Sequence, residues 1–269
     1  MIAWAVANQK GGVGKTTTTV SLGGLQAKRG GRALLVDLDP HGSLTSYFGY
    51  DPEEGVPGVY TLFQRRVQGK TLAPRDIVQS TRIEGLDLLC ASTALATLDR
   101  QLGNRDGMGL VLAQTLKALE SDYDHVIMDC PPMLGVLMVN ALAACEHLLI
   151  PVQTEFLAIK GLERMLRTVS MVSRSRKGGL KHTIVPTMYD QRTRAANEAL
   201  SHLRKTYAEQ TWKGVIPVDT RFREASQQAT PLTLSRPGAR GSRAYAHLLD
   251  WLEGKMTQWP MEMQYEESP

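Results

Sequence analysis

Lys10 and Lys15 frame a glycine cluster, Gly11, Gly12 and Gly14, and Thr16 and Thr17 follow it directly. These residue types at this spacing make a phosphate cradle. Glycine backbone N–H groups face phosphate oxygens, a helix N-terminus adds a favourable dipole, and the Lys15 ammonium supplies a point charge. The Thr16 hydroxyl has the chemistry to complete a Mg2+ shell. Gly11, Gly12, Val13, Gly14, Lys15, Thr16 and Thr17 are therefore the nucleotide-binding candidates, with a nucleoside triphosphate as the expected ligand.

Two acidic sites complete the chemistry. The apolar run 32–37 ends in Asp37 and is followed by Leu38, Asp39, Pro40, His41 and Gly42; the run 125–129 ends in Asp129, followed by Cys130, Pro131 and Pro132. An apolar strand ending in an acid is the Walker B signature, and Asp129 is suited to hold Mg2+ through a water while the prolines fix the next loop. Both acids reach the carboxyl edge of a parallel sheet, where ligands of open α/β folds bind.

The elements that must position these groups read as alternating strands and helices. Strands are expected at 2–7, 32–37, 86–91, 125–129, 148–152, 183–186 and 212–216, and helices at 16–29, 92–102, 108–120, 134–144 and 242–255, with a long one that 153–161 leads into and that ends near 177. Residues 51–82, with Pro52, Pro57 and Pro74, read as loops and short helices. The expected fold is α/β, a predominantly parallel central sheet flanked by helices on both faces, as a single domain over 1–255. The tail 256–269 holds Glu262, Glu266 and Glu267 and no Lys or Arg, so it reads as an acidic, flexible extension.

Composition supports this and narrows the setting. The chain has 269 residues, 42% of them hydrophobic, enough for a full core. The longest mostly apolar segment, 133–145, is too short to span a membrane and contains Asn140, and no basic leader precedes the first strand, so a cytoplasmic protein is expected. Cys90, Cys130 and Cys145 are odd in number and set among apolar neighbours, as buried structural thiols are. Charge is polarised: residues 1–159 carry 13 Lys and Arg against 16 Asp and Glu, whereas 160–243 carry 17 against 6. That basic third, with Arg192, Arg194, Arg221, Arg223, Arg240 and Arg243, is equally a DNA-backbone surface or a solvated face. The helix after 155 carries Arg164, Arg167, Arg174 and Arg176 as well.

The ordinary phosphate-loop motif places glycine at position 9, where this chain has Gln9; in its stead comes a second lysine, Lys10. The resulting Lys-Gly-Gly-Val-Gly-Lys-Thr-Thr resembles the deviant Walker A box of the ParA/MinD family. The resemblance implies a P-loop ATPase that binds ATP and Mg2+ and forms a homodimer in which Lys10 reaches the partner's phosphates. It also makes Lys10, Lys15 and Asp39 catalytic, Asp39 by orienting the attacking water, and Thr16 and Asp129 the metal-binding residues. The adenine pocket falls on Met188, Pro217 and Asp219. His41 departs from the family, which usually has glutamine there.

Residues 39–49, 92–98 and 137–142 are similar to the ParA-type ATPases encoded with flagellar and chemotaxis proteins. That likeness implies a chemoreceptor array at the cell pole as cargo, with an adaptor or ATPase-stimulating protein as partner. The alternative is a chromosome or plasmid partition ATPase that binds nonspecific DNA on the nucleoid. The acidic tail argues against the basic membrane helix of MinD-type proteins, and a chain that starts at its first strand leaves no room for an N-terminal helix-turn-helix domain. A metabolic P-loop enzyme is the remaining class, either an iron–sulfur protein, whose cysteine placement is lacking, or a ligase similar to dethiobiotin synthetase.

Overall fold

The computed structural model describes residues 1–70, 72–102, 107–176 and 178–255; the acidic tail expected at 256–269 lies outside the described residues. The first half runs β1 (Ile2–Val6), α1 (Lys15–Lys28), β2 (Ala33–Asp37), α2 (Ser43–Tyr47), α3 (Val59–Val67), β3 (Gln79–Ser80), β4 (Leu86–Leu89), α4 (Leu95–Leu102) and α5 (Val111–Ala118). The second half runs β5 (His125–Asp129), α6 (Val136–Ala144), β6 (His147–Gln153), α7 (Phe156–Ser175), β7 (Lys181–Thr187), α8 (Arg194–Thr206), α9 (Arg221–Gln227), α10 (Leu232–Ser235) and α11 (Arg240–Leu252).

The sheet has seven strands in the order β3-β4-β2-β5-β1-β6-β7, parallel throughout except for the short antiparallel edge β3. Its strands are short apolar runs because both faces are covered, as parallel sheets require. Alternation along each strand sorts side chains between two cores. Ala3, Ala5, Leu34, Val36, Val126, Met128, Leu148 and Ile150 pack on one face with α4, α5, α6 and α7. Trp4, Val6, Leu35, Ile127 and Leu149 pack on the other with Val20, Leu22, Trp212, Tyr245, Leu248 and Leu249.

Register then assembles the site. Val6, the last residue of β1, and Asp37, the last of β2, both pair with Asp129, the last of β5. The glycine loop, the Asp37–Asp39 turn and Asp129 therefore leave adjacent strands at one level of the carboxyl edge.

Several boundaries differ from the expectation. No strand forms over 212–216: Thr211 and Pro217 make only isolated bridges, to Ile184 and Tyr189. Lys213 and Gly214 turn the backbone between them, and Pro217 has no N–H to offer a ladder. The helix expected at 108–120 begins as a 3-10 turn, Met108–Leu110, before α5, and α11 starts at Arg240 rather than 242. Helix α8, not expected at all, buries Ala196, Ala199, Leu200 and Leu203 and is capped by Thr193, whose Oγ1 accepts from Ala196 N at 3.3 Å.

Candidate functional site

The loop between β1 and α1 is shaped for an anion. Gly12 and Gly14 have φ of +72° and +91°, a conformation that costs other residues, and a Cβ built on Gly11, Gly12 or Gly14 would meet nothing within 4 Å. The loop is thus open where those Cβ atoms would stand. Its ends are tied down: Asn8 Nδ2 donates to Pro151 O at 2.8 Å, Lys10 N donates to Asn8 Oδ1 at 3.0 Å, and Thr187 Oγ1 donates to Val13 O at 2.9 Å. Gln9 explains the missing glycine. Its Nε2 donates to Thr168 Oγ1 at 3.0 Å, anchoring the loop to α7, a partner 159 positions away that no local pattern reveals.

Lys15 and Thr16 open α1, where the helix dipole is positive. Thr16 Oγ1 donates to Asp129 Oδ2 at 2.6 Å, while Asp129 Oδ1 is buried without a partner among the described residues. Burial and the neighbouring Asp37 hold the Asp129 carboxyl well above its ordinary range, with Lys15 opposing. A hydroxyl beside a carboxylate with a spare oxygen is the hard-oxygen donor set a Mg2+ ion takes, so the residues present fit the ion.

Asp37 is a support residue. Its Oδ2 accepts from Thr45 N at 2.8 Å and Thr45 Oγ1 at 2.7 Å, and its Oδ1 accepts from Asp39 N at 3.1 Å. Burial nevertheless raises its pKa to about 7. A buried acid raised above its unfolded value binds more protons folded than unfolded, so the stability it lends is full below the unfolded pKa and is lost as pH rises through about 7. Asp37→Asn has no such loss. The variant should gain about 2 to 3 kcal/mol relative to the native chain between pH 5 and pH 8, measured by denaturant unfolding of both without nucleotide. An unchanged difference across that range would contradict the assignment.

Lys10 lies elsewhere. Its ammonium is paired with the Glu155 carboxylate, at the entry to α7 beside the exposed Phe156 and Leu157. Asp39 sits at the rim of the site, its side chain 15% exposed and linked to His41.

The three adenine-pocket candidates come together in space. The Tyr189–Pro217 bridge sets the loop of Met188 beside that of Pro217, and Met188 holds φ of +52°, unusual for a residue with a side chain. Asp219 is committed inside the protein. Its carboxylate accepts from Arg221 at 2.7 and 2.8 Å and from Gly241 N at 3.1 Å. Sequence reasoning missed a cavity of about 260 Å3 between α1, α2 and α9, lined by Thr16, Thr17, Tyr47, Phe222 and Arg223 among others. Tyr47 and Phe222 lie 175 positions apart, and only the fold joins them.

A family model described as an AAA domain matches residues 1–182. Soj of Bacillus subtilis (strain 168), a sporulation initiation inhibitor, is 37% identical over 91% of this chain and 95% of its own length. The chain belongs to the ParA/MinD family. Its ParA relatives include the chromosome partitioning proteins of Caulobacter vibrioides, 34% identical over 91% of both chains, and Myxococcus xanthus, 32% identical over 90% of this chain and 84% of its own. Among solved structures, a cobyrinic acid a,c-diamide synthase of Mycobacterium smegmatis holding an ATP analogue and magnesium superposes with a TM-score of 0.80, at 36% identity and 94% coverage of each chain. A Cyanothece McdA–ATP complex superposes at 0.82 over 97% of this chain and 99% of its own, and at 22% identity it speaks for the fold alone. The ParA/MinD fold thus has its seven-stranded α/β form here. Among the described residues no helix is long and apolar enough to cross a membrane.

Proposed function

We propose that the protein is a partition ATPase of the ParA/Soj kind, an ATP-dependent dimerisation switch that positions a cargo on nucleoid DNA. The observation that carries this is the placement of the two lysines. Lys15 lies buried in its own cradle, while Lys10 is held on Glu155 at the protein surface, beside exposed apolar side chains that a second copy would cover. Lys10 then serves the neighbour's phosphates.

In the joined state the glycine N–H groups and Lys15 hold the β- and γ-phosphates, and Met188 and Pro217 enclose the base. Thr16 and Asp129 would hold a Mg2+ ion, which would supply positive charge against the phosphates. Asp39 orients the water that attacks the γ-phosphorus; the bond to the ADP oxygen breaks, and the water's proton passes to Asp39. Hydrolysis removes the phosphate Lys10 reaches for, and the copies part.

DNA binding by the joined form is supported by the convergence of basic residues at one end of the sheet. Arg192, in the loop after β7, is paired with Asp190; Arg240 lies close enough to help hold that carboxyl low, at about 2, after Arg192 itself. Arg221 is locked to Asp219, which also binds the backbone of Gly241, so the α9 and α11 starts adjoin. If these arginines and Arg223 each meet one phosphate in both copies, eight contacts in all, binding of mixed-sequence DNA with Mg2+ and ATP should weaken with a log–log salt slope of about −7. Arg240→Ala, which removes one contact from each copy, should reduce the magnitude of that slope by about 2. Absence of binding to any DNA at low salt would exclude this surface.

The chemoreceptor-array cargo implied by residues 39–49, 92–98 and 137–142 would use the same switch. The partition names of relatives at 32–34% identity favour DNA-based partition as the leading reading. An amide-forming ligase is the second, raised by the synthase at 36% identity. A ligase that draws ammonia from glutamine needs an accessible thiolate, and here all three thiols are buried, with Cys90 and Cys145 pushed up to about 12 by burial.

A further inference from the structure

The turn from Asp39 to Gly42 holds one more contact. Gly42 N donates to the Asp39 carbonyl at 2.8 Å, Gly42 has φ of +63°, and a Cβ there would collide with the Pro52 ring, so the turn is fixed by sterics as well as hydrogen bonding. Among the described residues, every hydrogen bond the Asp39 carboxylate accepts falls on Oδ1: from His41 N at 3.1 Å and from His41 Nδ1 at 2.9 Å. Oδ2 is left over. An ionised carboxylate can only accept, so the ring nitrogen in this contact carries the proton.

The ring is 81% exposed, which means that packing does not set its rotamer; the bond to Asp39 does. With the ring this exposed, solvent competes for the contact, so it adds little to stability and is not explained as a fold-holding one. Its consequence is geometric. The terminal torsion of an aspartate is broad, and a single backbone donor restrains it weakly. A second donor on the same oxygen fixes which oxygen is left without a bond.

We propose that His41 is a positioning residue for hydrolysis: its Nδ1–H clamps Oδ1 of Asp39 and so presents Oδ2 to the attacking water. The proposal rests on the assignment of Asp39 as the water-orienting group. Asparagine tests it well, because its amide nitrogen is separated from Cα by the same number of bonds as Nδ1 and can donate to the same oxygen. Alanine removes the donor, and glutamine moves it one methylene further out.

The experiment is steady-state ATP hydrolysis by the full chain with Mg2+, for His41→Ala, His41→Asn and Asp39→Ala beside the native protein. His41→Ala should lose about tenfold in kcat with KM within about twofold, since misplacing a reacting group by an ångström costs up to ~10²-fold and one of two donors remains. His41→Asn should recover most of that loss. Thermal melts of the His41 variants should match the native chain. The proposal is overturned if His41→Ala hydrolyses as fast as the native protein, if His41→Asn is impaired as much as alanine, or if the change falls on KM. An inactive Asp39→Ala beside an unimpaired His41→Ala sinks the His41 role alone. An active Asp39→Ala removes the assignment on which it rests.

Discussion

Asp39→Ala is expected to slow ATP hydrolysis by about 10²-fold or more while the ATP-bound dimer persists. A carboxylate that orients and receives a proton from the attacking water contributes on that scale. Binding is spared for structural reasons. The cradle is made by backbone N–H groups, Lys15 and the Thr16–Asp129 pair, none of which contacts Asp39 by hydrogen bond. Asp37, which holds Thr45 and the backbone of Asp39, keeps its own partners when the Asp39 side chain is removed. Single-turnover hydrolysis with light scattering on one sample separates the two quantities, and loss of the dimer together with hydrolysis would show that Asp39 builds the interface instead.

The second large effect concerns Lys10. Lys10→Gln should bind ATP nearly as the native chain does, because its ammonium is not part of its own cradle, but should weaken nucleotide-dependent dimerisation about 100-fold or more. Truncating one partner of a buried, hydrogen-bonded charge pair at an interface costs about 2 to 5 kcal/mol, and each 1.4 kcal/mol is tenfold. The Glu155 pair does not oppose this. Its two side chains are 29% and 40% exposed, and an ion pair of that exposure is worth about 0 to 1 kcal/mol, so a neighbour's phosphates take Lys10 from it easily. Analytical ultracentrifugation with a nonhydrolysable analogue measures the dissociation constant directly.

What the sequence made legible were features whose partners are close in the chain or carried by periodicity. The strand–loop–helix around Lys15 and the strand ending at Asp129 needed only local apolar runs and glycine spacing, and both formed where expected. The predominantly parallel character of the sheet followed from alternation of strands and helices, whereas the order of its strands did not. What escaped was long-range. Gln9 reads as a missing glycine until Thr168 is seen beside it, and Lys10 gives no sign of Glu155, 145 positions away. Helix α8 was hidden because Arg194, His202, Arg204 and Lys205 dilute a stripe of only four buried apolar residues. The segment 212–216 was misread for the opposite reason: Trp212 and Ile216 are buried by packing against α11 and β7, and burial without a ladder produces the same apolar run as a strand.

The central claim is that a nucleoside triphosphate joins two copies and that Lys10 completes the neighbour's site. Sedimentation of the native chain and of Lys10→Gln, each saturated with Mg2+ and a nonhydrolysable ATP analogue, tests both parts at once. The account predicts the mass of two chains for the native protein, one chain without nucleotide, and one chain for the variant. A native protein that stays single when saturated, or a variant that pairs as well as the native chain, would contradict it.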